Sequence, residues 1–287
     1  MVDLPTLYSY DAKGLFPYDE ESAQEFLERG NVFHAFYLAR NTLFADALTQ
    51  EDTLLAQKLT KKLFDFSCDE VVCFFSNQSL YLWQGACFWM QPYQSYSLPV
   101  IQLKKAFRKG SYCGYSVEEV LSHEMVHAAR LPINGSLFEE IFAYQTAKGL
   151  FRRYLGPLFA KPIDSTVLLC TLILSWLMAF VSFYTDRDVY VFIGAIPCFV
   201  WLFYLCAKLC ILHTLFFLSK KKLRYLVKRP EFLLAVLVRL KDKEIGKIAI
   251  SPLEKTFNYF QEGQNNSFRL KIVFTKYFIS FFSGGSL

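Results

Sequence analysis

The chain has 287 residues, of which 53% are hydrophobic and 18% aromatic, and carries a formal net charge of +5. That apolar content is above the range of an ordinary soluble domain, and the length suffices for one large domain or two smaller ones. The basic excess is clustered between stretches of mixed charge, which leaves no long basic face for nucleic acid and points to a membrane surface instead.

The opening "MVDLPTLYSYDAKGLFPYDEE" has no basic segment followed by an apolar one, so no signal peptide is expected. "YDEESAQEFLERG" and "NVFHAFYLARNTLFADALTQEDTLLAQKLTKKLFDF" carry helical periodicity, the second with an acidic break near residues 50–52. "EVVCFFS", "LYLWQGACFWMQ" and "PVIQLKKAF" are rich in Val, Phe, Trp and Tyr and bounded by turn residues, which predicts a small antiparallel sheet. From Ser116 the pattern returns to helix. Ser116 and Glu119 match the S-x-x-E capping box, so a helix should start at Val117 and run to about Arg130, before Pro132. Pro132 and Gly135 then reverse the chain, and Ser136 with Glu139 matches a second capping box.

Residues 165–185 are 21 in number and uncharged, enough at about 1.5 Å per residue to cross a hydrocarbon layer of about 30 Å. Residues 189–207 form a second uncharged run, and apolar character continues past Lys208 to Leu218. Only Asp186, Arg187 and Asp188 separate the runs, which makes them an antiparallel hairpin with both ends on one side. Lys208 can reach the interface by snorkelling. Arg152, Arg153 and Lys161 precede the hairpin, and Lys220, Lys221, Lys222, Arg224, Lys228 and Arg229 follow it. Positive flanks stay cytoplasmic, so both terminal regions are expected in the cytoplasm, with "KKKLRYLVKR" attracting anionic headgroups. "PEFLLAVLVRLKD" predicts a helix starting at Pro230, and "SPLEKTFNYFQEG" another capped by Ser251. The expected organisation is a cytoplasmic domain over 1–160, a hairpin over 161–219 (spans near 165–185 and 189–210) and a basic juxtamembrane and C-terminal region over 220–287. The 8 cysteines include no CxxC pair, and several lie in the apolar runs; free thiols in a reducing compartment are expected.

The chemistry concentrates in "SVEEVLSHEMVHAARLPINGSLFEEIFAY", residues 116–144, which holds two of the 4 histidines. His123 and His127 stand one helical turn apart, so their imidazoles can converge on one ion, and a zinc site is expected. Glu124 is placed beside them to act as a base on water. A catalytic zinc needs a third protein ligand. Glu139 has a capping duty and Glu140 has none, so Glu140 is the expected ligand and Glu139 the runner-up. His34, with no ligand-like spacing around it, is a distant alternative and reads as a partly buried helix residue. Tyr144, one turn after Glu140, could stabilise an oxyanion or orient the glutamate. The strand "LPVIQLKKAF", nearest in sequence, could pair with an extended peptide.

"HEMVH" followed by "EEIFA" resembles the gluzincin zinc metallopeptidases, whose second motif is often E-x-x-A. On that match the ligand glutamate falls on Glu140 and the alanine on Ala143. The resemblance implies a zincin-like α+β catalytic domain, Zn²⁺ as cofactor, and hydrolysis of peptide bonds in a membrane-proximal protein or peptide with Glu124 as general base. Membrane-embedded relatives, the prenyl-protein peptidases and the bacterial heat-shock membrane protease, keep their zinc site on the cytoplasmic side. Two features depart from them: the hairpin follows both zinc motifs instead of separating them, and Tyr144 stands where these enzymes tend to have Asp. The alternative from another class is a membrane scaffold in which the HExxH helix or its zinc is structural. Such a site would be closed by a fourth protein ligand, and Cys113 is the one Cys or His near the motif.

Overall fold

A computed structural model describes residues 4–81 and 84–278 of this α+β chain. Three helices, α1 (Leu4–Ala12), α2 (Ala23–Leu38) and the short α3 (Arg40–Leu43), precede α4 (Gln50–Phe64). The acidic cluster near residues 50–52, expected as a break, is the first turn of α4. Thr49 caps it: its hydroxyl oxygen accepts the Asp52 N–H, and the Asp52 carboxylate accepts the Thr49 N–H at 2.8 Å. Acidic side chains in a first turn face the positive end of the helix dipole, so they start a helix rather than interrupt one.

The strands β1 (Val72–Phe75), β2 (Ala86–Tyr93) and β3 (Tyr96–Leu103) form a sheet of order β1-β3-β2. The sheet is mixed, not antiparallel as expected. β2 and β3 form a tight antiparallel hairpin that turns at Gln94 (φ 52°), whereas β1 pairs with β3 in parallel. Burial explains the order: Leu98 to Leu103 are all buried and need neighbours on both sides, while β2 is half-buried along most of its length and takes an edge. Pro99 lacks an N–H and stands just before the first residue to pair with β1, Val100. Leu82 and Trp83, part of an expected strand, lie outside the described residues. A small hairpin of β4 (Ser111–Tyr112) and β5 (Tyr115–Ser116) leads into α5 (Val117–Arg130), which packs against β2, β3 and α4.

After α6 (Glu139–Ala143) and α7 (Leu150–Leu155) come α8 (Pro162–Thr185) and α9 (Val189–Leu223), both long and apolar enough to cross a membrane. They pair as a hairpin. A Cβ at Gly194 would lie 2.5 Å from Met178 Cβ, and Ser175 Oγ donates to the Gly194 carbonyl at 2.6 Å, so glycine is what lets the helices approach this closely. Elsewhere α8 buries only Asp164 and Ser182. Where the uncharged runs end, Lys208 Nζ meets Asp164 Oδ2 at 3.3 Å, and Trp201 Nε1 donates to the Asp164 carbonyl at 3.0 Å. α9 continues without interruption through the basic cluster to Leu223, past the expected end of the span near 210. Its second half buries Leu212, Phe216, Ser219 and Leu223.

Four helices follow: α10 (Leu233–Leu237), α11 (Asp242–Ile250), α12 (Leu253–Asn266) and α13 (Phe268–Tyr277). Pro230 opens a 3₁₀ turn ahead of α10 rather than the helix itself. Ser251 does not cap α12, whose N-cap position is Pro252; the Ser251 carbonyl instead takes the Lys222 ammonium. This C-terminal part shares one core with the N-terminal part: Phe16, Phe26, Phe64 and Phe142 belong to the same cluster as Val236, Phe260 and Val273. Buried ions join them as well. Arg239 donates to both carboxylate oxygens of Asp11, at 2.8 and 2.9 Å, and Arg269 bonds Asp19 and Glu244.

Candidate metal centre

α5 starts where its sequence predicts, with Ser116 Oγ accepting the Glu119 N–H at 3.4 Å. The reciprocal half of the expected capping box is not made, because the Glu119 carboxylate takes Arg152 Nη1 at 3.1 and 3.2 Å. The helix buries Leu121, Ser122, Met125, Val126, Ala128 and Ala129. That packing leaves His123, Glu124 and His127 on the face that lines a cleft.

The chain then reverses through a 3₁₀ turn (Leu131–Ile133) and Asn134 at φ 51°. The second expected capping box does not form. The N-cap position of α6 is Phe138, and the Ser136 and Leu137 N–H groups both donate to Asp242 Oδ2 at 2.7 Å. Released from capping, Glu139 bridges Arg130 (Nε to Oε1, 2.7 Å) and His127 (Nδ1 to Oε2, 3.5 Å). Arg130 is fully buried; it also donates Nη1 to the Val238 carbonyl at 2.6 Å and lies over the Phe142 ring. Gly135 makes room for these groups, since a Cβ there would lie 2.7 to 2.9 Å from atoms of Arg130, Asp242 and Glu139.

His123, His127 and Glu140 come together. The two Nε2 atoms are 3.2 Å apart, Glu140 Oε2 is 3.5 Å from His123 Nε2, and Glu140 Oε1 is 3.3 Å from His127 Nε2. Ligand atoms about 2.0–2.1 Å from a tetrahedral Zn²⁺ stand about 3.3–3.4 Å from one another. The three spacings therefore match an ion held between them, and two imidazole nitrogens with one carboxylate oxygen are a donor set that Zn²⁺ takes. Among the described residues the cluster has these three members, the number of protein ligands that a catalytic zinc site uses. In the neutral ring, a proton on His127 Nδ1, directed at Glu139, would leave the Nε2 lone pair facing the cluster, the form that a bound cation would favour.

The electrostatics are those of a partly enclosed site rich in carboxylate. Burial opposes a charge on His127, but Glu139 and Glu140 outweigh it and raise its pKa to about 10. Burial and the neighbouring His127 lower His123 to about 4. Burial pushes Glu124 up to about 7, a rise that His127 opposes and Glu140 increases. His34 lies elsewhere and, contrary to the expectation of a partly buried residue, is exposed on α2, with Nδ1 2.9 Å from Glu70 Oε1.

The cleft has two arms that meet at His123 and Glu124. One, of about 240 Å³, is lined by Phe107, Tyr112, Tyr115, Val120 and Tyr144. The other passes His127 and Glu139 and reaches Ala160, Lys161 and Pro162 at the start of α8. β2 flanks the site: Ala86, Cys87 and Phe88 line the cleft, and the Phe88 ring stacks on His127 with centroids 5.8 Å apart. β3, expected as the peptide-docking strand, is the central strand, with its backbone engaged on both sides. Tyr144 packs edge-on against His123, centroids 4.8 Å apart, and burial lifts its hydroxyl pKa to about 12. Its ring fits because residue 156 is glycine; a Cβ there would lie 2.3 Å from Tyr144 Cε1. Phe88, Arg130, Gly156 and Asp242 were not foreseen, and no local pattern marks them: Asp242 acts on an amide 106 residues away. Compared with known proteins, the chain matches no family model, no curated sequence and no solved structure.

Proposed function

We propose that the protein is a membrane-anchored, zinc-dependent endopeptidase. The observation that carries this reading is the triangle of His123, His127 and Glu140 donor atoms at 3.2 to 3.5 Å, with Glu124 half-buried beside it on the cleft wall. Bound there, Zn²⁺ would supply Lewis acidity, making water easier to deprotonate and a peptide carbonyl more electrophilic. Glu124 takes the proton of the attacking water on its carboxylate and returns it to the leaving amine nitrogen. Glu139 holds the His127 ring through Nδ1, and Tyr144 braces His123. β2 pairs with β3 alone among the described strands, so its outer edge can accept an extended peptide as a further strand. The aromatic arm of the cleft takes an apolar side chain next to the scissile bond.

α8 and α9 span the bilayer in this reading. Their charge-free runs, 21 and 19 residues at about 1.5 Å each, come to about 30 Å, bounded at one end by the Asp164–Lys208 pair and at the other by Asp186, Arg187 and Asp188. The basic flanks lie on the domain side, which orients the domain to the cytoplasm. The substrate is then a protein or peptide close to the membrane.

Glu124→Gln tests the chemistry. It should retain zinc and lose about 10²–10⁴-fold in peptide cleavage, the usual contribution of a general base. Zinc bound tightly with no cleavage dependent on Glu124 would favour the scaffold reading.

A further inference from the structure

Just ahead of α8 the chain exposes an apolar surface. Leu150 is 68% exposed, Phe151 75%, Tyr154 56% and Ile163 57%, with Leu155 and Phe159 close behind. The segment is nonetheless fixed in place, because its two arginines are engaged by the protein. Arg152 donates to the Glu119 carboxylate and to the Gly114 carbonyl at 2.7 Å, and Arg153 donates to the Ala147 carbonyl at 2.9 Å. His213 Nε2 lies 2.9 Å from the Tyr154 carbonyl oxygen, which ties the segment to α9. Arginines turned to protein and large apolar groups turned out are the reverse of a helix that faces water, and the exposed Lys161 stands at the end of the segment, where a long basic side chain can reach headgroups.

Its depth follows from α9. His213 stands five residues beyond Lys208, about 7–8 Å along the helix from the plane of the Asp164–Lys208 pair. An amphipathic segment lying along a membrane buries its apolar face about 5–10 Å into the headgroup–acyl boundary, so the segment stands at the right level. It is also continuous with the hairpin, since Ile163 belongs to the first turn of α8. Ile211, exposed on α9 two residues before His213, adds apolar surface near the same level.

We propose that residues 150–163 lie in the headgroup–acyl boundary of the bilayer as a third membrane contact, beside the two spans. The arm of the cleft that ends at Ala160, Lys161 and Pro162 would then open at the bilayer surface. The two arginines would link the membrane-bound segment to the cleft wall, through Glu119 on α5 and through Ala147. The inference rests on the reading of α8 and α9 as spans and does not need the metal centre to be catalytic.

Photo-crosslinking of the full chain in phospholipid nanodiscs tests it, with benzoylphenylalanine placed singly at Phe151, Phe159, Phe180 and Leu38. Phe180 lies within α8, and Leu38 is exposed at the end of α2. Lipid adducts, read by mass spectrometry, are expected at Phe151 and Phe159 in yields comparable with Phe180 and well above Leu38. An adduct at Phe180 without one at Phe151 or Phe159 overturns the third contact and leaves the spans standing. A protein dimer crosslinked through Phe151 in place of a lipid adduct shows that a second copy covers the segment, and also overturns it. No adduct at Phe180 removes the spans and the inference together.

Discussion

At the scale of single residues, the adjacent glutamates divide the work of the site. Glu140 faces both Nε2 atoms, while Glu139 reaches the opposite nitrogen of His127 and carries Arg130 behind it. A carboxylate in the second position orients the ring and raises its basicity, and losing such a partner typically weakens metal binding about 10–100-fold. Glu139→Gln can still accept from Arg130 through its amide oxygen but lacks the charge, so zinc affinity measured by chelator competition should fall by about that factor. Glu140→Gln should cost more. A larger loss from Glu139→Gln than from Glu140→Gln would make Glu139 the ligand.

At the scale of elements, the site depends on close approaches that glycine permits. Tyr144 leans on His123 because the turn that carries Gly156 offers no side chain at that point. Gly156→Ala would push the ring off its seat. Overpacking of this kind costs about 1–3 kcal/mol, which should appear as a lower melting temperature together with reduced cleavage. An unchanged melting temperature would mean that the ring has room to move. The loop before α6 depends on a partner from a distant helix: Asp242, the first residue of α11, holds the Ser136 and Leu137 amides and so sets where α6, with Glu139 and Glu140, begins.

At the scale of the whole molecule, the segments on either side of the hairpin are joined by buried charge. Asp11 and Arg239 are each 1% exposed and pair in two hydrogen bonds, with Lys276 Nζ adding a third to Asp11 at 3.1 Å. Asp11→Ala leaves the guanidinium buried without its counter-ion, a change that typically destabilises by about 3–5 kcal/mol. Denaturant unfolding of the full chain should show it. Asp65 makes a second joint, between the end of α4 and α13. Burial opposes its ionisation, but bonds from Lys61, Lys276 and Tyr277 win and lower its pKa to about 2. A carboxylate depressed below its unfolded value of about 3.9 stabilises the fold above that value. Its contribution should therefore fade as the pH drops from about 4 toward about 2. Asp65→Asn should lower stability at pH 7 and flatten the acid limb of a plot of stability against pH. An unaltered acid limb would mean that other carboxylates govern acid unfolding.

By itself the sequence determined what depends on short-range spacing. Two histidines four apart must share a helix face, Ser116 must start that helix, and uncharged runs of 21 and 19 residues with a three-residue link must pair as a hairpin. The helix limits of α5, the end of α8 and the start of α9 follow from those local rules, while α8 begins at Pro162, ahead of the uncharged run. Tertiary structure decided whatever depends on which groups become buried together. The S-x-x-E pattern at Ser136 offered Glu139 a cap, yet a buried Arg130 and a nearby imidazole are stronger partners for a carboxylate than one exposed amide, and Glu139 turned to them. The sheet placed β3, buried from Leu98 to Leu103, between β1 and the half-buried β2, and that put β2 at the edge beside the histidines. Asp242 entered the site from the far side of the hairpin because the two halves of the chain bury one core. Local periodicity carries no information about contacts closed across a hundred residues; only packing brings such groups together.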